Sequence, residues 1–325
     1  SLSSRGGHPI IILDYGNKFY DNGDIPISEE GIAAFSRYAS FVAKHFKGRA
    51  VIYEVWNEWD IGMGSPKKPR TIRSVEEYVR LLTSTTKAIR SIDPNAFIIG
   101  GGVANPNTPW IEKFISLGGL KLIDGLSVHP YVYMRPGSES PEDAWRWLKA
   151  TSENKDIQSR NLKIFVTEIG WPNHLGPTGS TYSDSADILL RAFLLSKSIP
   201  SIGGFIWYEL RDSGTNPYEK EDNFGLISKS GAKKDNALAA ALIGKLLSRG
   251  FVFTNETVKS EEIHRISMRG TQLACEAIWS ESLSKDTYVQ ASVISKFKYW
   301  GDPLTTSSGK VHPTRTPAIY CDGEL

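Results

Sequence analysis

Short apolar segments alternate with longer segments of helical periodicity through the first 248 residues, and this alternation restricts the fold most. Strand patterns occupy 9–14, 50–58, 96–101, 124–131, 163–172 and 203–210. Helical patterns begin after Ser28 and at Ser74, where Ser74 and Glu77 predict a capping box. Further helical patterns recur near 109–118, 141–156, 184–198 and 232–248. Strands that alternate with helices predict an α/β fold with parallel strands joined by helical crossovers.

The predicted architecture is a TIM-type (β/α) barrel that lacks its first two strand–helix units, because only six strands are found where a barrel needs eight. The barrel domain is expected to span 1–249. Open strand edges are unfavourable without cover, so either the chain is a shortened product or a second copy of the chain completes the barrel. We expect the second arrangement, a homo-oligomer. Residues 250–325 alternate polar and apolar side chains and predict a small antiparallel β-sandwich domain.

Composition excludes several classes of function. The 325 residues carry a formal net charge of +2, which gives no footprint for nucleic acid or an anionic membrane. No apolar run approaches the roughly 18 residues of a membrane span. The six histidines and two cysteines lack metal-ligand spacing, so we predict neither a metal nor a cofactor. Cys275 and Cys321 are expected to form a disulfide or to remain buried thiols, and the cellular compartment stays open.

Two glutamates end strands of the predicted barrel. Because side chains alternate along a strand, Trp56 and Glu58 are expected on one side, as are Val166 and Glu168. The carboxyl ends of barrel strands form the active site in this fold. Two facing carboxyls suit cleavage of a glycosidic bond, where one donates a proton and the other attacks the anomeric carbon.

Polar and aromatic neighbours strengthen this interpretation. Asn57 is suited to hydrogen-bond a sugar hydroxyl, and the Trp207 indole to stack on a sugar ring. His129 and Tyr131 end another strand and are candidates to hold Glu168 by hydrogen bonds. Core packing remains the alternative for each aromatic residue taken alone. Glu54 lies deeper and is interpreted as structural support, because a buried carboxyl needs a partner.

A resemblance to a known family rests on several segments in order. The segments ILDYGN, YEVWNE, SVHPY, TEIGWP, FIWYELRD and NFGLI resemble the retaining clan A glycoside hydrolases, and most of all family 39. That family includes β-xylosidases, α-iduronidases and exopolysaccharide endoglycosidases. The resemblance covers about residues 9–248. An arginine that clan members usually supply from the second barrel strand has no counterpart here.

The resemblance implies a retaining β-glycosidase with Glu58 as general acid/base and Glu168 as nucleophile. It also implies a substrate-binding set comprising Asn57, His129, Tyr131, Trp207, Asp14, Asn17, Trp171 and Glu209. The expected partner is a carbohydrate such as a β-xyloside, β-galactoside or β-glucoside. The alternative function is a carbohydrate-binding pseudoenzyme with an incomplete barrel.

Overall fold

The computed structural model describes residues 7–134, 140–258, 262–281, 289–290, 297–301, 304–305 and 310–325. Contacts divide the chain into two compact units. The first unit comprises Ser1–Tyr131, Trp147–Ile169 and Ser201–Ile206, and the second comprises Val132–Arg146, Gly170–Pro200 and Trp207–Leu325. The domain boundary after residue 249 stays a prediction.

A six-stranded parallel sheet forms the centre of the first unit. Its strands follow chain order: β1 (Ile10–Leu13), β2 (Ile52–Val55), β3 (Phe97–Ala104), β4 (Gly125–His129), β5 (Lys163–Ile169) and β6 (Ile202–Trp207). This confirms the six strands and their parallel order. The sheet is a curled half-barrel, and the absence of two further strand–helix units stays a prediction.

Seven α-helices lie within the described residues: α1 (Glu29–Phe46), α2 (Val75–Ile92), α3 (Thr108–Ser116), α4 (Pro141–Ser152), α5 (Lys155–Ser159), α6 (Tyr182–Lys197) and α7 (Asp235–Ser248). The Ser28 hydroxyl caps α1 by accepting from the Gly31 N–H. A full capping box between Ser74 and Glu77 begins α2, as the sequence predicts.

The helix predicted at 141–156 is two helices, which corrects the prediction. Asn154 lies between α4 and α5, and its side chain accepts hydrogen bonds from the backbone N–H groups of Asp156 and Ile157. A side-chain acceptor at this position starts a new helix. Periodicity alone did not reveal the break.

Antiparallel strands form two sheets in the second unit. The larger has the order β11-β14-β9-β8-β7 and the smaller β10-β13-β12. Their bounds are β7 (Val252–Val258), β8 (Ile263–Arg269), β9 (Ala274–Ser280), β10 (Val289–Gln290), β11 (Phe297–Trp300), β12 (Leu304–Thr305), β13 (Lys310–His312) and β14 (Ala318–Cys321). Antiparallel pairing is therefore as predicted, whereas the sandwich arrangement stays a prediction.

A disulfide joins Cys275 of β9 to Cys321 of β14. The two residues are paired directly across the ladder, and both are buried. Of the two alternatives that the sequence left open, the structure has the disulfide. No helix within the described residues combines the length and apolar character needed to cross a membrane.

Candidate active site

Glu58 lies in a turn beyond β2 rather than in the strand, which corrects the predicted strand over 50–58. The strand ends at Val55, and both Trp56 (φ 68°) and Glu58 (φ 44°) have left-handed backbone conformations. These conformations are costly for residues with a Cβ atom and are typical of functional sites. Strand alternation therefore does not place the Glu58 side chain.

Backbone hydrogen bonds fix this turn. The Glu58 N–H donates to Gly102 O at 2.8 Å, and its carbonyl accepts from the Met63 N–H at 3.1 Å. Asp60 ties the same turn to the end of β3, because its carboxylate accepts from the Ala104 N–H and from Asn107 Nδ2, both at 2.9 Å. The turn is thus held against the neighbouring strand.

Three consecutive glycines let β3 approach this turn closely. Gly101 (φ 118°) and Gly102 (φ 48°) have positive φ angles, and the pairing with β4 shifts register between Gly100 and Val103. A Cβ atom at Gly101 would lie 2.6 Å from Ser127 O. The GGG segment is therefore a strand irregularity in which Gly101 and Gly102 have backbone conformations that favour glycine.

Glu58, His129 and Glu168 meet at the carboxyl ends of three strands. One Glu58 oxygen, one His129 nitrogen and one Glu168 oxygen all lie within 4.8 Å of one another. His129 Nδ1 is 3.1 Å from Glu58 Oε1 and 3.8 Å from Glu168 Oε2. The prediction that His129 holds Glu168 by a hydrogen bond is therefore corrected, because the hydrogen bond is made to Glu58 and the distance to Glu168 is too long for one. Within the described part of the chain, Glu58, His129 and Glu168 are the side chains close enough together to share a metal ion. The atoms that would bind such an ion already contact one another, through His129 Nδ1 and the two carboxylates.

A third carboxyl, that of Glu54, is joined to the other side of the His129 ring through Thr167. His129 Nε2 lies 3.0 Å from Thr167 Oγ1, and the Thr167 hydroxyl donates to Glu54 Oε1 at 2.9 Å. Glu54 is only 1% exposed. The predicted supporting role of Glu54 therefore has a specific form, since this carboxyl is joined to the imidazole through Thr167.

Burial and charge act in opposite directions on these groups. Burial raises the pKa of Glu168, as do the Glu58 and Glu54 carboxylates, whereas the His129 charge and the Tyr131 hydroxyl lower it. Burial alone would lower the pKa of His129, but the hydrogen bond with Glu58 and the surrounding carboxylates raise it above its usual value. Burial also raises the pKa of Glu54.

Tyr131 and Asn57 make further polar contacts among the candidate site residues of the first unit. The Tyr131 hydroxyl donates to Glu168 Oε2 at 3.2 Å, as expected for a residue that holds this glutamate. Asn57 Nδ2 donates to the Tyr15 hydroxyl at 2.7 Å. The Asn57 Oδ1 atom is buried without a hydrogen-bond partner among the described residues.

Asp14 and Asn17 lie in the segment after β1. Both line a cavity of about 380 Å³ together with Tyr15 and residues of α1. Asn17 Oδ1 accepts from the Phe19 N–H at 3.0 Å, so this side chain is engaged in a local turn. The structure does not show either residue in contact with the two glutamates.

Trp171, Trp207 and Glu209 belong to the second unit. The two indoles stack with centroids 6.0 Å apart and planes inclined by 16°. The Glu209 carboxylate accepts from the Ser213 hydroxyl at 2.9 Å. Their roles in binding a sugar stay predictions.

Thr167 and Tyr15 contact the candidate site residues His129 and Asn57, and sequence reasoning missed both of them. Thr167 precedes Glu168 in the TEIGWP segment, but alternation assigned it to the opposite side of the strand. In the structure both residues of this pair have polar contacts with His129. Thr167 and Glu168 lie near the end of β5, where the alternation of side chains along a strand does not predict which of them approach His129. Tyr15 follows Asp14 in the ILDYGN segment, a signal that was available.

Comparison with known proteins identifies solved structures that have a similar fold. No known family profile matches the chain, and no curated protein matches it. A family 39 glycoside hydrolase from Bacteroides cellulosilyticus WH2 has a similar structure, with a TM-score of 0.78 and 24% identity over 98% of this chain and 68% of that one. The fold of the chain is therefore similar to that of a family 39 glycoside hydrolase.

Two further solved structures share this fold at lower identity. A monomeric β-xylosidase from Caulobacter crescentus CB15 matches with a TM-score of 0.60 and 17% identity, over 87% of this chain and 61% of that one. A family 30 subfamily 8 xylanase from Clostridium acetobutylicum matches with a TM-score of 0.64 and 10% identity, over 98% of this chain and 81% of that one. The chain thus spans 68% of the Bacteroides structure and 61% of the Caulobacter structure.

Proposed function

We propose that the protein is a retaining glycoside hydrolase that cleaves β-glycosides by double displacement. The observation that carries this proposal is the approach of Glu58 and Glu168 oxygens to within 4.8 Å. Carboxyl groups about 5 Å apart leave no room for a water between catalyst and sugar, so that one of them attacks the anomeric carbon directly.

In the proposed reaction, Glu58 protonates the leaving oxygen while Glu168 attacks the anomeric carbon. Glu58 then removes a proton from the water that releases the sugar from Glu168. Glu168 must be ionised to attack, and the Tyr131 hydroxyl and the His129 charge favour that form. Asn57 is proposed to hold a sugar hydroxyl with its buried Oδ1 atom.

The proposed substrates are β-xylosides first, then β-galactosides and β-glucosides, because the similar structures include a β-xylosidase and a xylanase. In the second unit, the paired Trp171 and Trp207 indoles are proposed as a platform for a sugar ring, and Glu209 as a polar contact. In the first unit, Asp14 and Asn17 are each proposed as residues that contact sugar hydroxyls. The pseudoenzyme alternative is less favoured, because a binding protein does not need two carboxyls at this distance.

One expectation about assembly lacks support. A relative of similar fold is described as monomeric, so the comparisons do not favour a homo-oligomer.

Hydrolysis of aryl β-glycosides tests the proposed function. We expect turnover of at least one of the nitrophenyl β-xyloside, β-galactoside and β-glucoside, and a loss of at least about 1,000-fold in kcat for Glu168→Gln, which keeps the shape but cannot attack. Glu76→Gln, on the exposed face of α2, is the matched control and should retain activity. Equal activity of Glu168→Gln and the unsubstituted protein would exclude the role of Glu168.

A further inference from the structure

Four buried side chains form a continuous series of polar contacts in the first unit. Glu54 Oε1 and Thr167 Oγ1 are 2.9 Å apart, Thr167 Oγ1 and His129 Nε2 are 3.0 Å apart, and His129 Nδ1 and Glu58 Oε1 are 3.1 Å apart. Their exposed fractions are 1% for Glu54, 5% for Thr167, 0% for His129 and 7% for Glu58. Water therefore has little access to reorient these hydrogen bonds.

The single hydroxyl proton of Thr167 gives the series a direction. With Glu54 ionised, this proton is donated to Glu54, so Thr167 Oγ1 can only accept at its contact with His129. His129 must then carry a proton on Nε2. A neutral imidazole protonated on Nε2 has a lone pair on Nδ1, and the contact with Glu58 is a hydrogen bond only if a proton lies between the two groups.

We propose that Glu54 and Thr167 fix His129 with a proton on Nε2, so that His129 Nδ1 and Glu58 share the proton that Glu58 delivers to the leaving group. This inference rests on the proposed function, because it concerns the acid step at Glu58. Glu54, Thr167 and His129 are positioning residues in this scheme, and none of them needs to touch the sugar.

The charges that face His129 are consistent with this arrangement. Glu54 comes from β2 and Glu58 from the turn after it, while Glu168 comes from β5; Tyr131, after β4, acts on His129 through Glu168. Asp14, after β1, adds a further negative charge near Glu54. These carboxylates favour the imidazolium form, in which the shared proton lies on Nδ1 and the Glu58 oxygen accepts it.

The alkaline limit of activity should then belong to the Glu58–His129 pair and depend on Thr167. Thr167→Val has nearly the same shape but removes the acceptor of the Nε2 proton. The neutral imidazole can then move its proton to Nδ1 and donate to ionised Glu58, which favours loss of the acid proton. We expect the alkaline limb of the kcat/KM profile to move down by about one pH unit.

The test combines this profile with nitrogen NMR of histidine-labelled protein, in which His129→Gln identifies the His129 signals by their absence. In the unsubstituted protein we expect Nε2 to be protonated across the activity plateau. Thr167→Val should move the neutral proton to Nδ1 and shift the alkaline limb, and Thr167→Ser should restore both. A neutral His129 with its proton on Nδ1 in the unsubstituted protein, or identical results for the valine and serine variants, would overturn the proposal.

The NMR readout separates this proposal from the proposed function. If no glycoside is hydrolysed but Thr167→Val moves the Nε2 proton and Thr167→Ser restores it, the hydrogen-bond series stands. In that case the glycosidase assignment is what fails. If glycosides are hydrolysed and the tautomer does not respond to Thr167, the assignment stands and the series fails.

Discussion

Tyr131 donates a hydrogen bond from its hydroxyl to Glu168 Oε2 at 3.2 Å. The donor stabilises the ionised carboxylate and so lowers the pKa of Glu168, against the burial that raises it above the usual 4.5. We therefore expect the acid limb of the kcat/KM profile to lie above pH 4.5. Tyr131→Phe should move the acid limb upward by about half to one pH unit, because the ionised form of Glu168 loses a stabilising hydrogen bond.

The measurement is the pH dependence of aryl glycoside hydrolysis. Tyr182→Phe, at the exposed start of α6, is the control for removal of a tyrosine hydroxyl and should leave the acid limb in place. An acid limb that Tyr131→Phe leaves unmoved, or moves to lower pH, would show that the hydroxyl does not act on the group that must be ionised.

Gly101→Ala should destabilise the first unit more than Gly48→Ala. Both glycines have positive φ, 118° and 76°, but a Cβ at Gly101 would meet Ser127 O at 2.6 Å, whereas a Cβ at Gly48 has no atom within 4 Å. We expect a loss of about 1 kcal/mol for Gly48→Ala and at least about 3 kcal/mol for Gly101→Ala, by denaturant unfolding. Equal losses would show that the approach of β3 to β4 is not tight.

A buried ion pair in the second unit gives a further prediction. Glu142 is fully buried, accepting from Arg191 at 3.3 Å and from the Trp279 indole at 2.8 Å. Glu142→Ala leaves the Arg191 charge without this partner, so we expect a loss of about 3–5 kcal/mol in the free energy of unfolding.

The matched control for that prediction is Glu76→Ala. Its partner Lys113 lies 2.8 Å away, but both side chains are about half exposed, so the pair should contribute little. If Glu142→Ala and Glu76→Ala lower the free energy of unfolding by comparable amounts, burial of the Glu142–Arg191 pair is not the cause of the loss.

The disulfide should also support the second unit. Its 46-residue separation restricts the unfolded chain, and Cys275→Ala should lower the free energy of unfolding by about 2–5 kcal/mol. Thiol titration of the denatured protein should find no free thiol. Two titratable thiols, with stability unchanged by a reducing agent, would contradict the pairing.

Much of the fold could be predicted because strands and helices differ in apolar periodicity. The six parallel strands, the cap of α1 and the capping box of α2 all follow from local patterns. The break at Asn154 was missed because its side chain competes with the helix by capping a new one. Periodicity is continuous across that position, so the pattern alone gives no sign of it.

The site was predicted less completely, and for a physical reason. Glu58 and Glu168 were found from their positions at strand ends, but alternation was extended too far. The left-handed residues Trp56 and Glu58 end the strand early, and tertiary contacts with Gly102 hold that conformation. Thr167 was not singled out from the sequence, because its role depends on contacts with Glu54 and His129 from two other strands.

In the proposed reaction, Glu168 attacks the sugar while Glu58 faces it across the glycosidic bond. Incubation with an activated 2-deoxy-2-fluoro β-glycoside of the sugar that is turned over, followed by proteolysis and mass spectrometry, tests this claim most directly, because such sugars trap the glycosyl-enzyme. We predict one added sugar, carried by Glu168, and none in Glu168→Gln. A sugar bound to any other residue, or turnover of β-glycosides with inversion at the anomeric carbon, would contradict the account.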